Sequence, residues 1–329
     1  MNTHTQQPTG RPTGQRPVAA PVLDSAGVRR HPLCGPVDRM PVRYRGPHGL
    51  SHKGWLDFTE RIERREEIAF ARAVTTGNSQ ALDVGGGTGE LTRAVARHLG
   101  HCTTVEPHAQ RVATLGERTG TGTGTGTGSG TGTGSETGSG TGTGTGTGSE
   151  GTIEIVPGRA EKLPFADGAF DAVLANWVLP YVGDLEGAVR EIGRVCDLDH
   201  PEATVVLMGG APDNELVSLL NQSCVPLAGE AHDHQGYLLA TAAEILGELG
   251  FSAFTLHRTE AALHFPEPDP EERVRAAATT LVNFWFEEHP EAPAMRDALA
   301  PALRHHFTRR PHAVGDQGAV LVARPHGAP

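Results

Sequence analysis

Cysteine is scarce in this chain of 329 residues: Cys34, Cys102, Cys196 and Cys224 stand far apart, with no C-x-x-C pair. That spacing argues against a disulfide framework or a zinc site and predicts buried, reduced thiols of a cytoplasmic protein. No apolar run reaches the roughly 18 residues of a membrane helix, and the N-terminus carries no apolar signal core. Neither membrane spanning nor secretion is expected. Basic residues are outnumbered, 28 against 39 acidic ones, for a formal charge of −11. They gather into nothing larger than short pairs such as Arg29-Arg30 and Arg309-Arg310. A nucleic-acid footprint needs a basic stripe, so nucleic acid is not expected as a partner. The dinucleotide fingerprint is missing too. It requires G-x-G-x-x-G, yet the sixth position from Gly85 is Glu90, and from Gly87 it is Thr92.

What the chain does hold is Ala81-Leu82-Asp83-Val84 followed by Gly85-Gly86-Gly87-Thr88-Gly89-Glu90-Leu91. Leu82 and Val84 close a short apolar run and predict a buried strand. Leu91, Ala94, Val95 and Leu99 then recur at helical spacing up to a stop at Gly100. A strand feeding a helix through glycines lets backbone approach a ligand without Cβ clashes and aims helix N–H groups at it. The next predicted strand, Cys102-Thr103-Thr104-Val105, ends in Glu106, placed where a carboxylate accepts from both hydroxyls of a ribose.

Spaced G-x-G-x-G and preceded by Asp83, this segment closely resembles motif I of class I S-adenosylmethionine-dependent methyltransferases. The resemblance implies S-adenosylmethionine as cofactor. Gly85, Gly87 and Gly89, with Gly86 among them, would lie under its amino acid and ribose, while Asp83 orients the loop and Glu106 holds the ribose. Further on, Gly158-Arg159-Ala160-Glu161-Lys162-Leu163-Pro164-Phe165 and Ala169-Phe170-Asp171-Ala172-Val173-Leu174-Ala175-Asn176-Trp177 resemble the family's third and fourth motifs. By that likeness Ala160 and Glu161 sit at the adenine edge, with Glu161 accepting from the exocyclic amine. Asn176 and Trp177 sit beside the methionyl part. From the residues alone, Asp171 reads equally as a strand-start residue and Trp177 as core. The likeness spans roughly residues 80–210, plus a closing strand near 318–324.

Elsewhere the pattern alternates helix and strand, which predicts an α/β fold with a parallel sheet. Apolar stripes predict helices over 56–74, 185–196, 213–221 (capped by Asp213), 242–249, 271–288 and 295–307. Strands are predicted at 153–156, 203–208, 251–257 and 319–323. The family likeness completes this as a Rossmann-like, seven-stranded, mostly parallel sheet with helices on both faces, an antiparallel final strand and a helical lid at about 265–310. Residues 1–40, rich in Pro, Thr, Gly, Gln and Arg without apolar periodicity, are expected to be a disordered tail. The methyltransferase domain is expected over 41–329. Residues 119–151 alternate Thr or Ser with Gly and offer no buried face, so they read as a flexible, low-complexity insertion.

The methyl acceptor is expected at the carboxyl ends of the strands. The densest polar cluster there is Ala231-His232-Asp233-His234-Gln235-Gly236-Tyr237. His232 and His234 are candidate proton acceptors, because imidazole titrates near neutrality, with Asp233 able to orient either ring. A solvated loop is the plain alternative. The H-x-H pair lacks a convincing third ligand, so no metal is expected. Tyr44 and Tyr181 are candidate acceptor contacts, and His48 and Trp55 candidate pocket residues, though Trp55 reads equally as core. These features predict transfer to a small-molecule acceptor, a specialised metabolite or a modified amino acid or peptide. A fainter resemblance connects Ala211–Glu215, His232–Tyr237 and Gly315–Gly318 to bacterial methyltransferases that alkylate an indole carbon in tryptophan-derived cyclic dipeptides. O- or N-methylation, a non-catalytic nucleoside-binding role and a homodimer all stay open.

Overall fold

The computed structural model describes residues 20–35, 50–120, 144–146, 151–230 and 235–325. Its frame is a sheet of seven strands: β1 (Ala81–Val84), β2 (His101–Glu106), β3 (Thr152–Pro157), β4 (Ala172–Asn176), β5 (Thr204–Gly210), β6 (Ala253–Thr259) and β7 (Gly318–Arg324). Their spatial order is β3-β2-β1-β4-β5-β7-β6. β3, β2, β1, β4 and β5 pair in parallel, whereas β7 runs antiparallel to both β5 and β6. All four residues of β1 and all seven of β5 are buried. Strands covered on both faces read as continuous apolar runs, which is why these two were conspicuous in the sequence.

Helices cover both faces: α1 (Ser25–Arg30), α2 (His52–Thr59), α3 (Arg65–Val74), α4 (Glu90–Leu99), α5 (Ala109–Thr119), α6 (Leu185–Val195), α7 (Glu215–Ser223), α8 (Val225–Ala228), α9 (Gly236–Glu248), α10 (Pro270–Phe286) and α11 (Ala292–Arg309). Two cores lie against the sheet, one under α6 and α9 and one under α3 and α4. A third joins α2, α7, α10 and α11, where Met295, Leu299, Leu281 and Phe265 are fully buried. A small antiparallel sheet, in the order Ile62–Glu63, Ala262–His264, Ala313–Gly315, ties this helical part to the strands.

Several expectations are corrected. The expected tail of 1–40 is not one over 20–35. Asp24 caps α1 by accepting from the Gly27 N–H, Leu23 pairs with Phe254 beside β6, and Val28 and Cys34 are fully buried. Too few apolar residues mark this segment for periodicity to register. The single helix expected over 56–74 is two, α2 and α3, parted by Ile62–Glu63. The cap of α7 is Asn214, which accepts from the Val217 N–H, whereas Asp213 pairs with Arg258. Within the Thr/Gly insertion, Gly144–Gly146 adds antiparallel to β3, because an edge strand offers its backbone to any segment regardless of side chains.

Candidate active site

The loop after β1 owes its course to glycine. Gly85, Gly87 and Gly89 adopt φ of 78°, 53° and 76°, a region that L side chains rarely enter. A Cβ on Gly86 would lie 2.2 Å from the Thr104 Oγ1, and Thr104 in turn donates to the Asp83 carbonyl at 3.0 Å. The loop therefore lies flat against β2 and delivers the N-terminus of α4 to a cavity.

That cavity is lined by Asp83, Gly85, Gly86, Gly87, Glu106, Ala160, Glu161, Asn176 and Trp177 together. The sequence-derived positions thus converge, with one exception. Gly89 is not in the wall: it is the left-handed N-cap of α4, and a Cβ there would strike Leu115 of α5 at 2.4 Å. Its glycine serves helix packing. Tyr181 and Trp55 also line the cavity. Tyr44, His48, His232, Asp233 and His234 lie outside the described residues. Gln235, which follows the two histidines, lines the cavity.

Asp83 is buried at the carboxyl end of β1. Its Oδ2 accepts from the Thr92 hydroxyl at 2.6 Å, while Oδ1 has no hydrogen-bond partner. Burial pushes its carboxyl up to about 6, with Glu106 adding to the shift and the Thr92 hydroxyl opposing it. Asn176 Oδ1 is likewise buried without a partner. Glu106 is 2% exposed, and its Oε1 accepts from the His108 N–H at 3.1 Å. Glu161 accepts from the Gly183 N–H at 2.8 Å and pairs with Arg159. Burial works against its ionisation, but those hydrogen bonds hold its carboxyl below the usual range. Asp171 is structural: its carboxylate accepts from the backbone N–H groups of Ser79 and Gln80 and from the Ser79 hydroxyl.

Several wall residues escaped the sequence reading. Arg64 lies over the Trp177 ring at 4.1 Å and Arg111 over the Trp55 ring at 4.4 Å. Trp177 has φ 56°, the one non-glycine residue with positive φ among those described. Its indole N–H is held by both oxygens of Glu67, each at 3.2 Å. Burial raises the Glu67 carboxyl and Asp316 adds to the shift, while Arg64 and the indole N–H oppose it. Phe58, Phe284, Trp285 and Asp316 complete the far wall. Asp316 fell within the Gly315–Gly318 stretch of the fainter resemblance, and Arg111 stands in the first turn of α5, shortly after Glu106.

The residues present fit S-adenosylmethionine. Asp83 Oδ1 and Asn176 Oδ1 are buried acceptors that lack a donor, and an ammonium group supplies one. The glycine loop leaves no side chain between backbone and ligand. Trp55 covers it, 3.4 Å from where a Cβ on Gly87 would stand.

Residues 82–199 match the family model described as a methyltransferase domain. A ubiquinone/menaquinone biosynthesis C-methyltransferase UbiE of Pseudomonas savastanoi pv. phaseolicola is 30% identical over 224 residues, covering 62% of this chain and 77% of the relative. Its counterpart in Pseudomonas fluorescens is 28% identical over 232 residues, covering 65% and 77%. Among solved structures, the YcgJ protein of Bacillus subtilis aligns over 80% of this chain and all of its own, with a TM-score of 0.46 at 15% identity. A Haemonchus contortus phosphoethanolamine N-methyltransferase 2, solved with S-adenosylhomocysteine, aligns over 78% of this chain and 53% of its own, with a TM-score of 0.42 at 13% identity. With the glycine loop, the acidic end of β2 and the sheet order in hand, the relationship is settled: this chain belongs to the class I S-adenosylmethionine-dependent methyltransferases.

Proposed function

We propose that the chain methylates a ring carbon of a small, flat, electron-rich acceptor, a specialised metabolite such as an indole. The observation that carries this reading is the far wall of the cavity, where Phe58, Trp177, Tyr181, Phe284 and Trp285 surround the space beyond the glycine loop. Phe58 and Phe284 stack at 3.9 Å, and Trp285 tilts against Phe284 at 4.5 Å. Aromatic faces of this kind favour stacked or edge-on aromatic guests. The C-methyltransferase name of the Pseudomonas relatives supports carbon as the acceptor atom.

When bound, S-adenosylmethionine supplies an electrophilic methyl group on a sulfonium. In this reading Glu106 accepts from the ribose hydroxyls, Asp83 and Asn176 accept from the methionyl ammonium, and Ala160 and Glu161 border the adenine. Gly85, Gly86 and Gly87 let the backbone approach, and Gly89 keeps α4 in place. Trp55, Phe284 and Trp285 exclude water and hold the acceptor in line, a contribution on the order of 7–11 kcal/mol in well-aligned reactions. His232 or His234 takes up the acceptor's proton with Asp233 orienting the ring, and Tyr44 contacts the acceptor. The lining position of Gln235 supports that reading. Buried, free cysteines suit a cytoplasmic setting. Incubation with labelled S-adenosylmethionine and a panel of indoles, phenols, amines and carboxylic acids tests the proposal. Label fixed on a ring carbon of flat acceptors supports it, and label on amines or carboxylates alone overturns it.

A further inference from the structure

Beneath the aromatic wall lies a buried charge cluster that the assignment of cofactor residues does not use. Arg64, just before α3, donates to both oxygens of Glu67 at 3.3 and 3.2 Å and to Asp316 Oδ2 at 3.0 Å. Asn214 Nδ2 donates to Asp316 Oδ1 at 2.6 Å, and the Asp316 N–H donates to the Ala261 carbonyl at 2.8 Å. Glu67 is further occupied by the Trp177 indole N–H and the Thr259 hydroxyl, and it does not reach the cavity wall. Asp316 does line the cavity, although it is only 2% exposed.

Two carboxylates share one guanidinium here, away from solvent. When both are ionised, the cluster carries an excess negative charge that faces aromatic side chains. Each carboxylate oxygen accepts more than one hydrogen bond, so Asp316 keeps capacity toward the cavity while Arg64 and Asn214 fix its direction. Carbon methylation of an aromatic ring calls for such a group. The ring carbon becomes nucleophilic as its conjugated N–H or O–H gives up electron density, and a carboxylate accepting that hydrogen increases the effect.

We propose that Asp316 is the acceptor-selecting residue, recognising the ring N–H or O–H of an electron-rich heteroaromatic or phenolic acceptor. This rests on the flat-ring reading above. As the methyl group moves, an electron pair of the ring forms the new C–CH3 bond and the pair of the broken S–CH3 bond stays on sulfur. The heteroatom's proton is drawn along the hydrogen bond to Asp316 and ends on the histidine base proposed above, so the acceptor returns to neutrality.

The test compares indole with benzothiophene, a ring of similar shape without a hydrogen to donate, by calorimetry on the full chain saturated with S-adenosylhomocysteine. Wild type should bind indole about tenfold more tightly, on the scale of a hydrogen bond to a charged group. Asp316→Ala should abolish that preference, and Asp316→Asn, which keeps the size of the side chain, should shrink it. S-adenosylhomocysteine affinity should stay unchanged in both. Equal binding of the two rings by wild type overturns the proposal without any variant, and so does a preference that survives Asp316→Ala or stays undiminished in Asp316→Asn. If wild type binds neither ring, the flat-ring reading itself fails.

Discussion

Trp177 is held where its backbone would rather not be. A non-glycine residue at positive φ costs on the order of 1–3 kcal/mol and persists only where its surroundings over-determine it. Here Glu67 takes the indole N–H and Arg64 covers the ring face. Asp83 stores free energy in a different form. Because burial raises its carboxyl from 3.8 to about 6, the folded chain prefers the protonated form. Stability from this group is therefore complete below about 3.8 and lost as pH rises through about 6, up to about 3 kcal/mol in all. Asp83→Asn should then raise the Tm of the cofactor-free chain at pH 7.5 and leave it nearly unchanged at pH 4, while weakening S-adenosylhomocysteine binding. Scanning calorimetry at the two pH values and a titration check both halves. Glu106→Ala should cost about 1.5–3 kcal/mol in binding of the same ligand, the scale of hydrogen bonds to a charged group. The His232→Ala/His234→Ala double variant should lower turnover at unchanged cofactor affinity and remove an inflection near neutrality from the pH–rate profile. Wild-type turnover would leave that segment without a role.

At the scale of elements, α1 and α10 show how position outweighs composition. Val28 of α1 is fully buried against the core that α9 covers, although its neighbours in sequence are mostly small or charged. Val28→Ala should therefore cost roughly 1–2 kcal/mol, at about 0.8 kcal/mol per buried methylene. Removing residues 1–35 should lower the Tm far more, whereas an unpacked tail would leave it unmoved. Thermal unfolding of both variants decides. In α10, capped by Asp269 and started by Pro270, the apolar face is broad enough to serve two purposes. Leu281 and Val282 fill the helical core, while Phe284 and Trp285 turn to the cavity. Phe284→Ala should raise acceptor KM more than it lowers cofactor affinity, because the ring stands on the far wall.

For the whole molecule, sheet order decides where chemistry can occur. β1 and β4 lie side by side at the middle, so the loops after them, with Glu106 from β2, open on one common edge. Of the Thr/Gly tract, Gly144–Gly146 pairs along the side of β3 opposite β2. Replacing residues 121–143 with a short turn should keep turnover at the wild-type level. It should also raise stability slightly, since each halving of a loop recovers only about 0.6 kcal/mol. A Tm shift of a few degrees at most, with unchanged turnover, is the expected outcome, and a large loss would show that the tract packs on the domain.

The local sequence determined the strand–glycine–helix unit, the acidic end of β2 and most of the alternating α/β order, because each depends on neighbours a few residues apart. Gly85, Gly87 and Glu106 were legible for that reason, as were the four buried cysteines. The far wall was legible only at Trp177 and Tyr181. Arg64 with Glu67, Trp177 and Asp316 come from three separate stretches, and nothing in the spacing of charged residues says that one guanidinium will lie between two carboxylates and over an indole. Gly89 shows the converse, since its motif position suggested a ligand contact and the packing of Leu115 gave it to the helix interface. Short-range periodicity dictates which elements form, but only the tertiary structure decides which of their faces meet, because desolvation and long-range pairing act between residues the chain keeps far apart.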